Sequence, residues 1–139
     1  MKHAGLRQPL ILTALCAAML LPSAAALAVT DAEILKVQIW LENHLSSPIL
    51  LEQVAEGFGL SLRNLIRRFK DATEQTPMQY LQELRIEKAK LLLESSQAAF
   101  DQITLQVGYE DGNSFRRLFK QRVGLAPSAY RKRFASQRQ

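Results

Sequence analysis

The sequence predicts an all-α chain in which two helix-turn-helix units are joined by one central helix. Three observations predict it. Apolar residues recur at three- and four-residue spacing, and no segment alternates with period two, so helices are expected and a sheet is not. Two segments each carry a glycine turn, then a basic amphipathic run, then a proline break. These segments are also copies of one another. Phe69-Lys70 and Phe119-Lys120 lie 50 residues apart, as do Pro77 and Pro127, and Tyr80 and Tyr130. Upstream the offset becomes 49, matching Gly59 to Gly108 and Val54 to Ile103. A single register shift with matches on both sides marks an internal duplication whose second turn has gained one residue.

The start of the chain stands apart. Lys2 and Arg7 precede an apolar run over 10–21, and Ala24-Ala25-Ala26 and Ala26-Leu27-Ala28 both fit an A-x-A cleavage pattern. Read alone, residues 1–29 are a leader resembling a secretory signal peptide. The uncharged stretch 8–30 also reaches the roughly 20 residues needed to cross a bilayer. Pro22 and Ser23 favour cleavage over a permanent anchor. A misplaced start that merely resembles a leader is the other reading.

From residue 30 to 139 one helical module is expected. Asp31 can cap a first helix, in which Ile34, Val37, Leu41 and Leu45 form the apolar stripe and Trp40 joins it. Ser46-Ser47-Pro48 ends that helix, and His44 near its end suits a C-terminal position rather than catalysis. The first helix-turn-helix spans about 50–72: a short helix over 51–57, a turn over 58–61, and a helix from 62 capped by Ser61, with Leu62, Leu65, Phe69 and Ala72 facing inward. Thr76-Pro77 then opens the longest helix, with proline at the position where no amide donor is lost. It runs over 77–94, with Leu81, Leu84, Ala89, Leu92 and Leu93 among its apolar positions. A small and polar loop follows over 95–99, then a second helix-turn-helix over about 99–122 and a last helical stretch over 127–134.

Charge is informative by position rather than in total. The net charge is +5, from 18 Lys/Arg against 13 Asp/Glu, and two of those cations are in the leader. Arg63, Arg67, Arg68 and Lys70 cluster in one copy, and Arg116, Arg117, Lys120 and Arg122 in the other, while Glu83, Glu87 and Glu94 gather elsewhere. A charge run is usually a solvated face, but two runs at one place in two repeats point to a polyanionic partner. The only cysteine, Cys16, lies in the leader, so no disulfide or thiolate metal site forms within one chain. No nucleophile–base pair, metal-ligand spacing or phosphate-cradling glycine loop is present, so neither an enzyme nor a cofactor is expected. Glu83 and Glu87 read as solubilising.

A second helix that is anchored by Leu65 and Phe69, or by Phe115, Leu118 and Phe119, turns its other face outward. That face carries Arg63, Asn64 and Arg67 in the first copy and Asn113, Arg116 and Arg117 in the second. Arginine can donate two hydrogen bonds to guanine, and asparagine's amide matches adenine, each good pair discriminating by about 1–3 kcal/mol. Ile66 is either core filler or an apolar contact to a thymine methyl. Ser61, Arg68, Lys70, Lys120 and Arg122 are candidates for phosphate contacts. A strut of about 18 residues is roughly 27 Å long. Neighbouring major-groove segments lie about 34 Å apart. The expectation is a monomeric reader of double-stranded DNA with half-sites one helical turn apart.

At these residues the chain resembles the C-terminal DNA-binding module of AraC/XylS-type transcriptional regulators. The likeness is carried by "LEQVAEGFGLSLRNLIRRFK", "TPMQYLQELRIEKAKLLLESS" and "VGYEDGNSFRRLFKQRVGLAPSAYRKRF", and spans about residues 34–134. Its wording is nearest the subgroup in which the module follows a ThiJ/PfpI amidotransferase-like domain. The resemblance implies tandem homeodomain-like subdomains on a linker helix, promoter binding to activate or repress transcription, and RNA polymerase as a candidate partner. By position it places base reading on Arg63, Ile66 and Arg67, and on Gly112, Asn113, Arg116 and Arg117. The sequence also departs from the family. Leu50 and Ala99 stand where Ser or Thr usually precede each motif, and Thr104 stands where a smaller residue is usual, against Ala55 in the first copy. Gly112 offers no side chain to a base, so the second helix is expected to contribute more to phosphate contact than to sequence choice. An effector or dimerisation domain ahead of the module is not expected, which would fit a constitutive regulator, one set by its own abundance, or a fragment. An exported or anchored helical protein with a non-DNA partner is the alternative raised by the leader. The ordered motif outweighs it, and the cytoplasm is the expected location.

Overall fold

The computed structural model describes residues 31–135, so the leader expected over 1–29 lies outside the described residues. The described residues form seven helices and no strand: α1 (Ala32–His44), α2 (Leu51–Gly57), α3 (Leu62–Thr73), α4 (Pro77–Ser95), α5 (Phe100–Gln106), α6 (Gly112–Val123) and α7 (Pro127–Ala135). The expected all-α, tandem helix-turn-helix class is the observed one. Helices α2 and α5 are offset by 49 residues, and α3 and α6 by 50, so the register shift in the sequence falls in the second turn. None of these helices is long and apolar enough to cross a membrane.

The chain divides into two compact units. The first comprises residues 31–44 and 49–81, and the second residues 45–48 and 82–135. Helix α4 is continuous, with its residues through Leu81 in the first unit and those from Gln82 in the second. Its start is fixed by a reciprocal cap. Thr76 Oγ1 accepts from the Gln79 amide at 3.2 Å, and Gln79 Oε1 accepts from the Thr76 amide at 3.0 Å.

In the first unit, α1 and α2 both pack on α3. Ile34, Val37, Leu41, Val54, Ala55, Leu65, Phe69, Tyr80 and Leu81 are buried. Asp31 caps α1 by accepting from the amides of Glu33 and Ile34. At the other end of α1, the His44 Nδ1–H donates to the Trp40 carbonyl at 2.8 Å, and the two rings stack with centroids 4.1 Å apart. Histidine thus closes the helix end, as its position suggests.

In the second unit α5 and α7 pack on α6, around a core of Ile86, Ala89, Leu93, Ile103, Val107, Phe115, Phe119 and Tyr130. The aromatic pairing repeats with the duplication. Phe69 meets Tyr80 edge-on at 5.4 Å, and Phe119 meets Tyr130 edge-on at 5.7 Å. Two arginines fasten backbone in this unit. Arg85 donates from Nε to the Leu45 carbonyl at 3.0 Å and from Nη2 to Ser47 at 3.2 Å. Arg131 serves the carbonyls of Leu93 and Ala98 in the same way. Burial lowers the Arg85 pKa, opposed by the nearby Tyr109.

The acidic residues of α4 are less idle than expected. Glu83 lies 3.4 Å from Arg122, Glu87 lies 3.0 Å from Lys90, and buried Glu94 accepts from the Tyr130 hydroxyl at 2.5 Å. Reading Glu83 and Glu87 as merely solubilising is therefore corrected. Their partners are on another helix for Glu83 and three residues on for Glu87.

Candidate nucleic-acid interface

Each candidate reading helix is held from behind and capped in front. The turns that feed them are built alike. Phe58, Gly59 and Leu60 donate to Val54, Glu56 and Ala55, and at the matching places Val107, Gly108 and Tyr109 donate to Ile103, Leu105 and Thr104. Gly59 (φ 72°) and Gly108 (φ 86°) take the left-handed conformation that glycine adopts without steric cost. Ala55 and Thr104 are both buried beneath these turns, and the Thr104 hydroxyl is satisfied by donating to the Phe100 carbonyl at 2.9 Å.

Capping differs between the copies. Ser61 Oγ accepts from the Asn64 amide at 3.1 Å at the start of α3. At the start of α6, Asp111 Oδ1 accepts from the Asn113 amide at 3.0 Å, and its Oδ2 accepts from the Ser114 hydroxyl at 2.5 Å. The Ser114 hydroxyl and the Asn113 amide hold the Asp111 carboxyl below its ordinary value. Neither Leu50 nor Ala99 supplies a side-chain cap, although Gln102 Oε1 accepts from the Ala99 amide at 3.2 Å. Ser61 and Asp111 are thus cap residues, and the first helix of each motif starts without a side-chain cap.

On α3 the structure leaves Arg63, Asn64, Arg67 and Lys70 exposed along one side, while Leu65 and Phe69 are fully buried on the other. Ile66 is half-buried between the two. Arg67 approaches Asp71 only at 3.8 Å, with its side chain 61% exposed. Arg68, expected among the phosphate contacts, is committed elsewhere. Its guanidinium pairs with Asp31 at 2.8 Å and Glu33 at 3.6 Å, two carboxylates that neutralise it. It is a structural clamp of the first unit.

On α6, Asn113, Arg116, Arg117 and Lys120 are exposed and Phe115 and Phe119 are buried. Arg117 Nη2 donates to Ser114 Oγ at 3.5 Å. Arg116 is 3.6 Å from Asp101, and Gly112 lies at the first position of the helix. Arg122, a second expected phosphate contact, pairs with Glu83 and also donates to Gln82 at 3.3 Å. The carboxylates of Asp101, Glu110 and Asp111 line a shallow groove with Leu105 and Asn113, a feature that no spacing in the sequence reveals. Among the described residues no cluster of His, Cys, Asp or Glu is arranged to hold a metal ion.

A helix-turn-helix domain family model matches residues 54–133, more than half of the chain. The transcriptional activator RhaS of Escherichia fergusonii is 38% identical over 102 residues, covering 73% of this chain and 37% of that protein. A transcriptional regulator from Chromobacterium violaceum, described by its AraC-type DNA-binding domain, superposes with a TM-score of 0.70 at 26% identity, covering 75% of this chain and 93% of that one. The chain belongs to the AraC-type helix-turn-helix family. This AraC-type module also resembles the DNA-binding domain of AdpA, solved in complex with a target DNA: TM-score 0.73, 29% identity, 78% of this chain and 97% of that one. The module spans little more than a third of the length of the RhaS protein that it matches.

Proposed function

We propose that this chain is a sequence-specific DNA-binding regulator of transcription, with α3 and α6 each entering a major-groove segment. One observation carries the reading: an exposed arginine recurs at the same turn of both helices, Arg67 and Arg117, two residues before a buried phenylalanine that locks each helix in place. Arg63 and Asn64 in α3, and Asn113 and Arg116 in α6, supply the remaining base-directed donors and acceptors. Ile66 offers an apolar edge to a thymine methyl, and Gly112, at the first position of α6, adds no side chain to the reading face. Lys70 and Lys120, with the first-turn amides beside Ser61, address phosphates.

One chain supplies both reading helices, so no second copy is required on DNA. The half-sites in this proposal lie one helical turn of DNA, about 34 Å, apart. The likeness to RhaS, named as a transcriptional activator, favours activation. RNA polymerase as partner, a cytoplasmic location and a non-catalytic role belong to the same proposal. The nearness to regulators with an upstream amidotransferase-like domain rests on sequence wording alone.

Selection from a pool of random duplexes, followed by titration at several salt concentrations, tests the reading. A defined motif should be enriched, and log affinity should fall linearly with log salt. No enrichment, or a salt-insensitive complex, would overturn it.

A further inference from the structure

The second copy of the motif departs from the first at three positions that meet in space. Leu51, Glu52 and Ile66 of the first copy correspond to Phe100, Asp101 and Arg116 of the second. Phe100 and Asp101 are neighbours at the start of α5, the first helix of the second motif. Arg116 is on the outer face of α6, with its guanidinium carbon 5.0 Å from the centroid of the Phe100 ring. Its Nη2 is 3.6 Å from Asp101 Oδ1. The ring is itself fixed, stacked on Phe115 at 5.6 Å and set edge-on to Phe119 at 6.1 Å. It makes a stationary platform for the cation.

Gly112 completes the arrangement. A Cβ at this position would come within 3.2 Å of Asp101 Oδ1, so glycine leaves the carboxylate its place beside the first turn of α6. The residue that gives up a base-reading side chain thereby accommodates a carboxylate from the neighbouring helix.

We infer that Asp101 is a specificity-determining positioning residue that acts through Arg116, an inference resting on the DNA-reading function proposed above. An exposed ion pair of this kind adds little to folding stability, and the two side chains are 50% and 84% exposed. Its effect is on direction. Stacked on Phe100 and drawn to one side by Asp101, the guanidinium fork meets DNA in a restricted orientation, where a freely rotating arginine would accept guanine and phosphate alike. The carboxylate also repels the phosphate backbone. Asp101 therefore sharpens base preference beneath Arg116 and lowers affinity for duplex DNA as a class. In the first copy Arg67 has only Asp71 on its own helix, 3.8 Å away, with both side chains largely exposed.

The experiment compares full-length wild type, Asp101→Asn, Arg116→Ala and the double variant by selection from random duplexes and by affinity for single-base variants of the enriched site. Thermal melts establish that each is folded. Asp101→Asn should bind all duplexes more tightly at low salt, while its preference at one base pair falls roughly tenfold. In the Arg116→Ala background the same substitution should leave base preference unchanged. If wild type enriches a motif and Asp101→Asn keeps every preference, or changes it equally without Arg116, the inference is overturned and the DNA-reading function stands. If wild type enriches no motif, the proposed function itself falls, and the inference with it.

Discussion

Arg68 forks onto Asp31, with Nε donating to Oδ2 at 3.0 Å and Nη2 to Oδ1 at 2.8 Å. The same carboxylate accepts from the first-turn amides of α1, so one side chain both caps that helix and fastens it to α3. Asp31→Ala should lower unfolding free energy by about 1–2 kcal/mol, mostly the lost cap with a modest contribution from a part-exposed ion pair. Urea denaturation measures it. Arg68→Ala should reduce stability by less, since the cap survives, and should leave the salt slope of DNA binding unchanged. A shallower slope would return Arg68 to the phosphate contacts.

Glu74 and Gly124 follow α3 and α6 in the left-handed conformation, at φ 63° and 86°. A residue with a Cβ is strained there by about 1–2 kcal/mol, offset in part by the greater unfolded-state freedom of glycine. Glu74→Gly should therefore stabilise the chain by roughly 0.5–1 kcal/mol, and Gly124→Ala should destabilise it by about 1 kcal/mol. Opposite shifts of the denaturation midpoint check the pair.

The two caps should differ in their response to acid. Ser61→Ala should cost about 1 kcal/mol at any pH. Asp111 has a lowered folded-state pKa, so its contribution is complete above the ordinary aspartate range and disappears as pH falls through the lowered value. The stability gap between wild type and Asp111→Asn should be constant from pH 7 to about 5 and close progressively below about 4. Denaturation curves across that interval measure it.

Charge and geometry separate at the interface. Lys70→Ala and Lys120→Ala should each weaken every duplex about equally and reduce the salt slope by about 0.9. Arg67→Ala and Arg117→Ala should instead erode preference at particular base pairs, by about 1–3 kcal/mol each. Inserting about five base pairs between the half-sites turns one groove to the far side of the duplex and should abolish specific binding. Gel-shift titrations give all three results.

Helix boundaries were legible because local chemistry sets them. The start of α4 follows from Thr76-Pro77, the start of α3 from Ser61, and the change of offset from 49 to 50 from one extra residue before Asp111. The buried stripes followed from periodicity, including Phe69, Phe115 and Phe119, whereas the edge-on pairing of Phe69 with Tyr80 and of Phe119 with Tyr130 did not. The partners of charged side chains were hidden, because they are tertiary. Nothing near Arg68 announces Asp31, which lies 37 residues away, and nothing near Arg122 announces Glu83. Asp101 was equally invisible beside Arg116, since that contact exists only once α5 folds against α6.

The two turn glycines share a backbone conformation but not a neighbourhood. Around Gly59 there is open space, whereas a Cβ on Gly108 would collide with the Leu45 carbonyl and press on Arg85. Asparagine or aspartate, which tolerate such a conformation, could therefore replace Gly59 at small cost, and no side chain larger than glycine's hydrogen fits at Gly108. Descendants of the two halves are not equally free to drift: the first bend can be rewritten, and the second is pinned.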